Sequence, residues 1–245
     1  MKSPFQALLI GVSEYRDDAI DDLRFVTDDM AELANALSSV GYTVTLHDSG
    51  DTDRDSIDSA IETFFQEATP GATLLLYLSG HGIHHGGVDY LVPKGALTRS
   101  YDFRGKCLSL DFSQYVERSQ AGDVAVLVDA CREGIVLKEM AASNAVGWSD
   151  MEVTRTGERH YCHVYACSPG ERARYTTSAT GTFSLFSRAL STVVANEAGP
   201  STLTELKDQL QATVDALTAE HGCRRQQVRV KTETPLDDFV LFTRP

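Results

Sequence analysis

Two unbroken apolar runs constrain this chain more than any other feature. Leu74-Leu75-Leu76-Tyr77-Leu78 stops on Ser79-Gly80-His81-Gly82, and Val124-Ala125-Val126-Leu127-Val128 stops on Asp129-Ala130-Cys131-Arg132. Runs that do not alternate with polar residues belong to strands buried on both faces, as in a parallel sheet lying under helices. In such an open α/β sheet the carboxyl ends of neighbouring strands form the crevice where ligands bind. If these two strands are neighbours, His81 and Cys131 stand side by side.

The rest of the chain reads as strand and helix in alternation. Phe5 to Val12 is a first buried strand, followed by a polar loop from Ser13 to Asp22. Leu23, Met30, Leu33 and Leu37 then fall at helical spacing, with Thr27 or Asp28 as N-cap and Gly41 as the stop. Tyr42 to Leu46 alternates as an edge strand. Ile57, Ile61, Phe64 and Phe65 mark an amphipathic helix capped by Asp53 or Asp55, and Thr69-Pro70-Gly71 is a turn. Gly86-Gly87 and Val88 to Pro93 suggest a hairpin, and Asp111 to Gln120 a short helix capped by Asp111 or Ser113. His160 to Cys167 is a fifth strand closing on Ser168-Pro169-Gly170. Helices follow around Phe183, Phe186, Leu190 and Val193 and around Leu203, Leu206, Leu210, Val214 and Leu217. Val228 to Val230 and Asp238 to Phe242 offer a last strand or strand pair. The expected fold is α/β, a mostly parallel sheet of about six strands with helices on both faces. Nothing forces a split, so residues 1–245 are read as one domain, with 132–159 as a flexible activation or processing loop too long for an ordinary connection.

Composition narrows the function. A formal charge of -13 argues against a nucleic-acid partner, since phosphate binding needs clustered Lys and Arg, and it fits a basic peptide. Five cysteines at irregular spacing suit a reducing compartment. No apolar run approaches the ~20 residues of a membrane span, and the first ten residues have too short an apolar core for a secretory signal. The expected location is the cytoplasm, with no membrane partner. Asp51, Asp53, Asp55 and Glu62 sit at calcium-loop positions, but the required Gly is Ser56 and the same residues make the amphipathic helix. Asp17, Asp18, Asp21 and Asp22 read as a solvated face. His84, His85, His160, His163, Cys162 and Cys167 fit no closed zinc site, and alternation sends Cys162 and His163 to opposite faces. No metal site and no cofactor are expected.

A thiol attacks only as a thiolate, and a free cysteine near pH 7 is mostly protonated. A neighbouring imidazole can take the proton, so Cys131 with His81 makes a nucleophile and its base. The backbone N–H groups of Cys131 and Gly82 can then face the oxygen of a tetrahedral intermediate, Gly82 having no side chain to obstruct it.

At these residues the chain resembles a known family. Leu76-Tyr77-Leu78-Ser79-Gly80-His81-Gly82 and Val128-Asp129-Ala130-Cys131-Arg132 closely resemble the two catalytic motifs of caspase-like cysteine peptidases, in particular metacaspases and their bacterial relatives. The separation of 50 positions (131 minus 81) is that of the caspase histidine and cysteine. Asp89 to Pro93, Ala166 to Glu171 and Gly181-Thr182-Phe183 resemble further family segments, so the likeness spans nearly the whole chain. It implies the caspase-like three-layer sandwich, with a His81/Cys131 dyad hydrolysing peptide bonds through an acyl-enzyme. Where caspases carry Gln two residues before the cysteine this chain has Asp129, and Glu133 replaces the Gly that follows the Cys-Arg pair, which puts aspartate-directed cleavage in doubt. In metacaspases that aspartate lines the S1 pocket with a second acid from the first helix, carried here onto Asp29; Ser79 touches the same pocket by analogy. Two carboxylates in one pocket repel each other, and a guanidinium or ammonium relieves the repulsion. Cleavage after Arg, or Lys, of a protein or peptide substrate is therefore expected. Self-cleavage at Lys138, Arg155 or Arg159 follows as a possibility. The family also implies a regulatory sensor or repeat protein as partner, a role in prokaryotic defence by analogy alone, and calcium activation as an open question. A non-catalytic interaction module on the same fold is the alternative. A flavodoxin-like nucleotide binder is the other, but a P-loop and Gly-rich dinucleotide spacing are both lacking.

Overall fold

The computed structural model describes residues 4–48, 50–132, 159–179, 181–232 and 239–242. The expected processing segment, with Lys138 and Arg155, lies outside them except at its ends. In chain order the elements are β1 (Phe5–Gly11), α1 (Phe25–Ser39), β2 (Thr43–His47), α2 (Arg54–Gln66), β3 (Thr73–Gly80), β4 (Gly82–His85), β5 (Val88–Leu91), β6 (Leu108–Ser109), α3 (Ser113–Arg118) and β7 (Asp123–Ala130). Then come β8 (His160–Tyr165), β9 (Tyr175–Ser178), β10 (Gly181–Ser184), α4 (Leu185–Ala195), α5 (Leu203–Glu220) and β11 (Arg229–Thr232).

The main sheet has six strands in the order β11-β8-β7-β3-β1-β2. All pairs are parallel except β8 with β11, so the strand tips at one end are the carboxyl ends of β1, β3, β7 and β8 together. Because both faces are covered, alternate residues of the same strand feed two different cores. Leu9, Leu75, Tyr77 and Leu127 pack with α1, α4 and α5, while Leu8, Leu76, Val126 and Val128 pack with α2 and α3. β3 is buried along its whole length, which is why its sequence shows no alternation. β2 lies at the edge and is largely exposed, as its alternating sequence predicts. Among the described residues, no helix is long and apolar enough to cross a membrane.

Local details differ from the sequence reading. α1 starts at Phe25 behind Arg24, and neither Thr27 nor Asp28 caps it. Asp53 is the N-cap position of α2 but makes no capping hydrogen bond, because its carboxylate is held by Arg16 at 2.7 Å. Phe112 occupies the N-cap of α3, and Asp111 accepts from the Ser113 amide just inside the helix. Phe183 lies on β10 instead of α4; the β9–β10 hairpin, rich in Thr and Ser, carries no apolar periodicity to reveal it. α5 has a full capping box, Thr202 with Glu205.

Candidate active site

β3 and β7 are neighbours in register, Ser79 opposite Asp129 and Gly80 opposite Ala130. One step further along, His81 and Cys131 leave the sheet side by side. Neighbouring strands lie about 4.8 Å apart, so the register alone brings the two backbones together. Both residues line one cleft, together with Ser79, Asp129, Ser184, Phe25 and Tyr175.

The chain must bend sharply where β3 ends. Gly80 has φ +148, a conformation that side chains avoid, and a Cβ there would lie 3.0 Å from the Tyr15 hydroxyl. At Gly82 an added Cβ would fall 2.4 Å from the Cys131 carbonyl oxygen and 2.8 Å from Ala130 Cβ. The backbone after His81 therefore passes against the backbone of Cys131, an approach that only glycine allows.

His81 is held at two points. Its Nε2 donates to the Asp21 carbonyl at 2.9 Å, and its backbone N–H donates to the Tyr15 hydroxyl at 2.8 Å. A carbonyl can only accept, so this bond places the ring proton on Nε2 and leaves Nδ1 as the basic nitrogen. Burial pulls the His81 pKa below its usual value, against the pull of Asp21, which keeps the ring neutral near pH 7.

Cys131 is half-buried in the cleft. Three other thiols are shut in: burial pushes Cys107 up to about 12 and raises Cys162 and Cys167 well above the usual thiol value, so they stay protonated. Downstream, Arg132 is 1% exposed and grips Asp89 with two hydrogen bonds, Nε to Oδ1 at 3.0 Å and Nη2 to Oδ2 at 2.7 Å. Its guanidinium lies 3.9 Å over the Tyr165 ring. His84 Nδ1 meets the same Asp89 at 2.7 Å.

The two expected pocket acids share one partner residue, Ser184. Asp29 and Asp129 are 3% and 4% exposed, and both reach the N-terminus of α4. Asp29 Oδ2 accepts from the Ser184 amide at 2.8 Å; Asp129 accepts from the Tyr77 hydroxyl at 3.1 Å, from the Ser184 hydroxyl and from the Ser187 amide. Helix amides and the dipole favour negative charge at this place. Burial nonetheless pushes Asp29 up to about 8, with the Asp129 charge adding to it, and burial pushes Asp129 up to about 6. Ser79 lines the same cleft.

Of the six residues singled out in the sequence, His81, Cys131, Asp129 and Ser79 line the cleft, Gly82 packs against the Cys131 backbone, and Asp29 on α1 reaches the cleft through Ser184. Sequence reasoning missed Tyr15, Tyr77, Ser184 and the Asp89–Arg132 pair. Tyr77 left a trace, a hydroxyl inside an otherwise apolar run. Tyr15 left another, an aromatic ring in an acidic loop. Cys162 packs in the core with α1, α4 and α5, while His163 sits between the Tyr161 and Tyr165 hydroxyls on the opposite face, where burial pulls its pKa down to about 4.

A family model described as "Caspase domain" matches residues 5–240. The crystal structure of a protein from Geobacter sulfurreducens superposes with a TM-score of 0.64 at 15% identity, covering 99% of this chain and 98% of that one, a likeness of fold. No curated protein matches the sequence.

Proposed function

Since this chain belongs to the caspase-domain family of cysteine peptidases, we propose that it is an endopeptidase with Cys131 as nucleophile and His81 as base, cutting after Arg or Lys. The observation that carries the proposal is one cleft lined by a half-buried thiol, a neutral imidazole and the buried Asp129, with the buried Asp29 bonded to Ser184 of the same lining.

In the proposed reaction His81 Nδ1 takes the Cys131 proton as sulfur attacks the carbonyl carbon of the scissile peptide. The C–N bond breaks, the amine leaves with that proton, and an acyl-enzyme remains. Water, giving its proton to His81, then attacks the thioester and releases the acid. The close passage of Gly82 against Cys131 supports backbone amides of these two residues as donors to the developing oxyanion. The Asp21 carbonyl stabilises the imidazolium at Nε2 in both steps. The chemistry draws on the chain's own thiol and imidazole and needs no cofactor.

The acids supply the preference. A guanidinium entering the cleft lets both carboxylates ionise and can be held by paired, charge-assisted hydrogen bonds. A substrate carboxylate would meet two buried acids instead. The net charge of -13 also favours basic peptide partners, among which we place a regulatory sensor or repeat protein.

The test is a set of fluorogenic peptides ending in Arg, Lys or Asp. Wild type should cleave Arg and Lys reporters, and Cys131→Ala and His81→Ala should not. Faster cleavage after Asp would overturn the specificity. Cleavage by Cys131→Ala would overturn the nucleophile, and inertness of wild type toward an Arg-chloromethylketone would favour a non-catalytic module.

A further inference from the structure

We propose that Tyr15 is the positioning residue of His81, its hydroxyl fastening the histidine backbone to the tip of β1 while its ring covers the imidazole. The inference rests on His81 being the base of the reaction. Four observations meet at this tyrosine.

First, the Tyr15 hydroxyl does two things at once. It accepts from the His81 amide at 2.8 Å and donates to the Val12 carbonyl at 3.1 Å. β1 and β3 pair only as far as Gly11 and Ser79, with Val12 N–H still donating to Ser79 O at 2.9 Å. Beyond that point the His81 amide has left the ladder, and the tyrosine replaces the missing strand partner. Second, Gly80 clears the space: a Cβ there would press on the Tyr15 hydroxyl and on Val12 at 3.0 and 3.2 Å.

Third, the two rings touch, with centroids 5.0 Å apart and planes tilted by 55°. The ring takes one side of the imidazole out of water, and burial is the leading cause that pulls the His81 pKa down. Burial also pushes the Tyr15 hydroxyl far above its ordinary value, so it keeps its proton to donate.

Fourth, the loop that carries Tyr15 is pinned along its length. The Tyr15 amide donates to Asp22 at 3.0 Å and Leu23 N–H donates to Ser13 O at 2.8 Å. Arg16 pairs with Asp53 at 2.7 Å, and Asp17 accepts from both the amide and the hydroxyl of Thr98 at 2.5 and 2.6 Å. Asp21, which accepts from His81 Nε2, belongs to the same loop. The loop thus holds the histidine from its backbone, from one ring face and from its far nitrogen.

The experiment separates the hydroxyl from the ring. Tyr15→Phe keeps the ring and removes the fastening; kcat for an Arg reporter should fall about tenfold with KM changed less than about twofold, and the acidic limb of the pH profile should stay in place. Tyr15→Leu removes both; kcat should fall further, and the acidic limb should move up by about half a unit as the imidazole regains water. Alkylation of Cys131 by iodoacetamide across pH, read by mass spectrometry, should show the same two patterns without substrate. Wild-type kcat in Tyr15→Phe would overturn the proposal, and an unmoved limb in Tyr15→Leu would overturn the covering role of the ring. His81→Ala distinguishes its failure from failure of the dyad: an active His81→Ala sinks the dyad, whereas an inactive one beside an unimpaired Tyr15→Phe sinks only the role of Tyr15. Tyr15→Phe loses a single oxygen, so it decides the matter even where Tyr15→Leu fails to fold.

Discussion

Replacing Asp29 with Asn should stabilise the fold and cripple the enzyme, with a pH dependence that identifies the cause. Asp29 sits on α1, 3% exposed, close enough to Asp129 for that charge to raise its pKa. Burial is the larger cause, and together they carry the group from 3.8 to about 8. The folded protein therefore holds a proton here that the unfolded chain has already released. Between these two values stability must fall as pH rises, by about 1.4 kcal/mol per unit for this one group, and level off above the upper value. Asn does not titrate, and its carbonyl can still accept from the Ser184 amide. The stability gap between Asp29→Asn and wild type should be close to nothing near pH 4 and reach on the order of 5 kcal/mol above pH 8. For a chain of this length 1 kcal/mol moves the melting temperature by about 2–4 °C, so the variant should melt about 10 °C or more above wild type at pH 8.5. Differential scanning fluorimetry from pH 4.5 to 9 measures this directly. In the same samples kcat/KM for an Arg reporter should drop about 100-fold, as expected when one partner of a buried charge pair is removed. A melting gap that does not change with pH would refute the reasoning, since Asp29 would then be ionised in the folded protein.

The same acids predict proton release when a small amidinium such as benzamidine binds: calorimetry at pH 7 in buffers of different ionisation enthalpy should report close to one proton leaving, and KM for an Arg reporter should fall from pH 6 to pH 8.5. Unchanged heats across buffers would contradict the shared-charge picture. Gly82→Ala should abolish turnover because its methyl group meets the Cys131 carbonyl, and a folded, active Gly82→Ala would show that the two backbones do not need to touch. Asp89→Asn should cost about 3–5 kcal/mol in chemical denaturation by leaving the buried Arg132 guanidinium without its carboxylate; a change below 1 kcal/mol would mean water reaches that pair.

What the sequence disclosed follows from which forces leave a one-dimensional trace. Burial on both faces writes an unbroken apolar run, so β3 and β7 were plain, and the residues at their tips came with them. Register was not written anywhere; it followed from reading the two strands as neighbours. Asp29 is 100 positions from Asp129, and nothing local marks it as buried; only the resemblance to a family motif placed it in the pocket. Capping was misread for a physical reason: Asp53 has the right type and position, but a long-range partner, Arg16, took its carboxylate. The β9–β10 hairpin went unseen because its polar residues carry no period, although it ends on Ser184, the residue that binds both pocket acids.

The buried Asp89 connects these parts. A buried ion pair is weak grounds for stability, since apolar replacements of the same volume often hold a fold as well. Its stronger effect is on geometry, because a two-point Arg–carboxylate contact fixes orientation as well as distance. Asp89 lies on β5, opposite His84 on β4, and β4 begins at Gly82, directly after His81. One of its oxygens takes His84 Nδ1 and Arg132 Nε, the other takes Arg132 Nη2, and Arg132 directly follows Cys131. The chain leaving the imidazole and the chain leaving the thiol are thus tied to a single carboxylate. Movement of either segment breaks hydrogen bonds between side chains that are 1% and 2% exposed. Tyr15 and Asp21 fix the histidine from the β1 side in the same manner. His81 and Cys131 follow strand tips at the sheet's open end, and such tips are free to splay unless each is anchored independently of the sheet. These contacts supply the anchors, and they do so with residue types that a hydrophobic pattern cannot reveal.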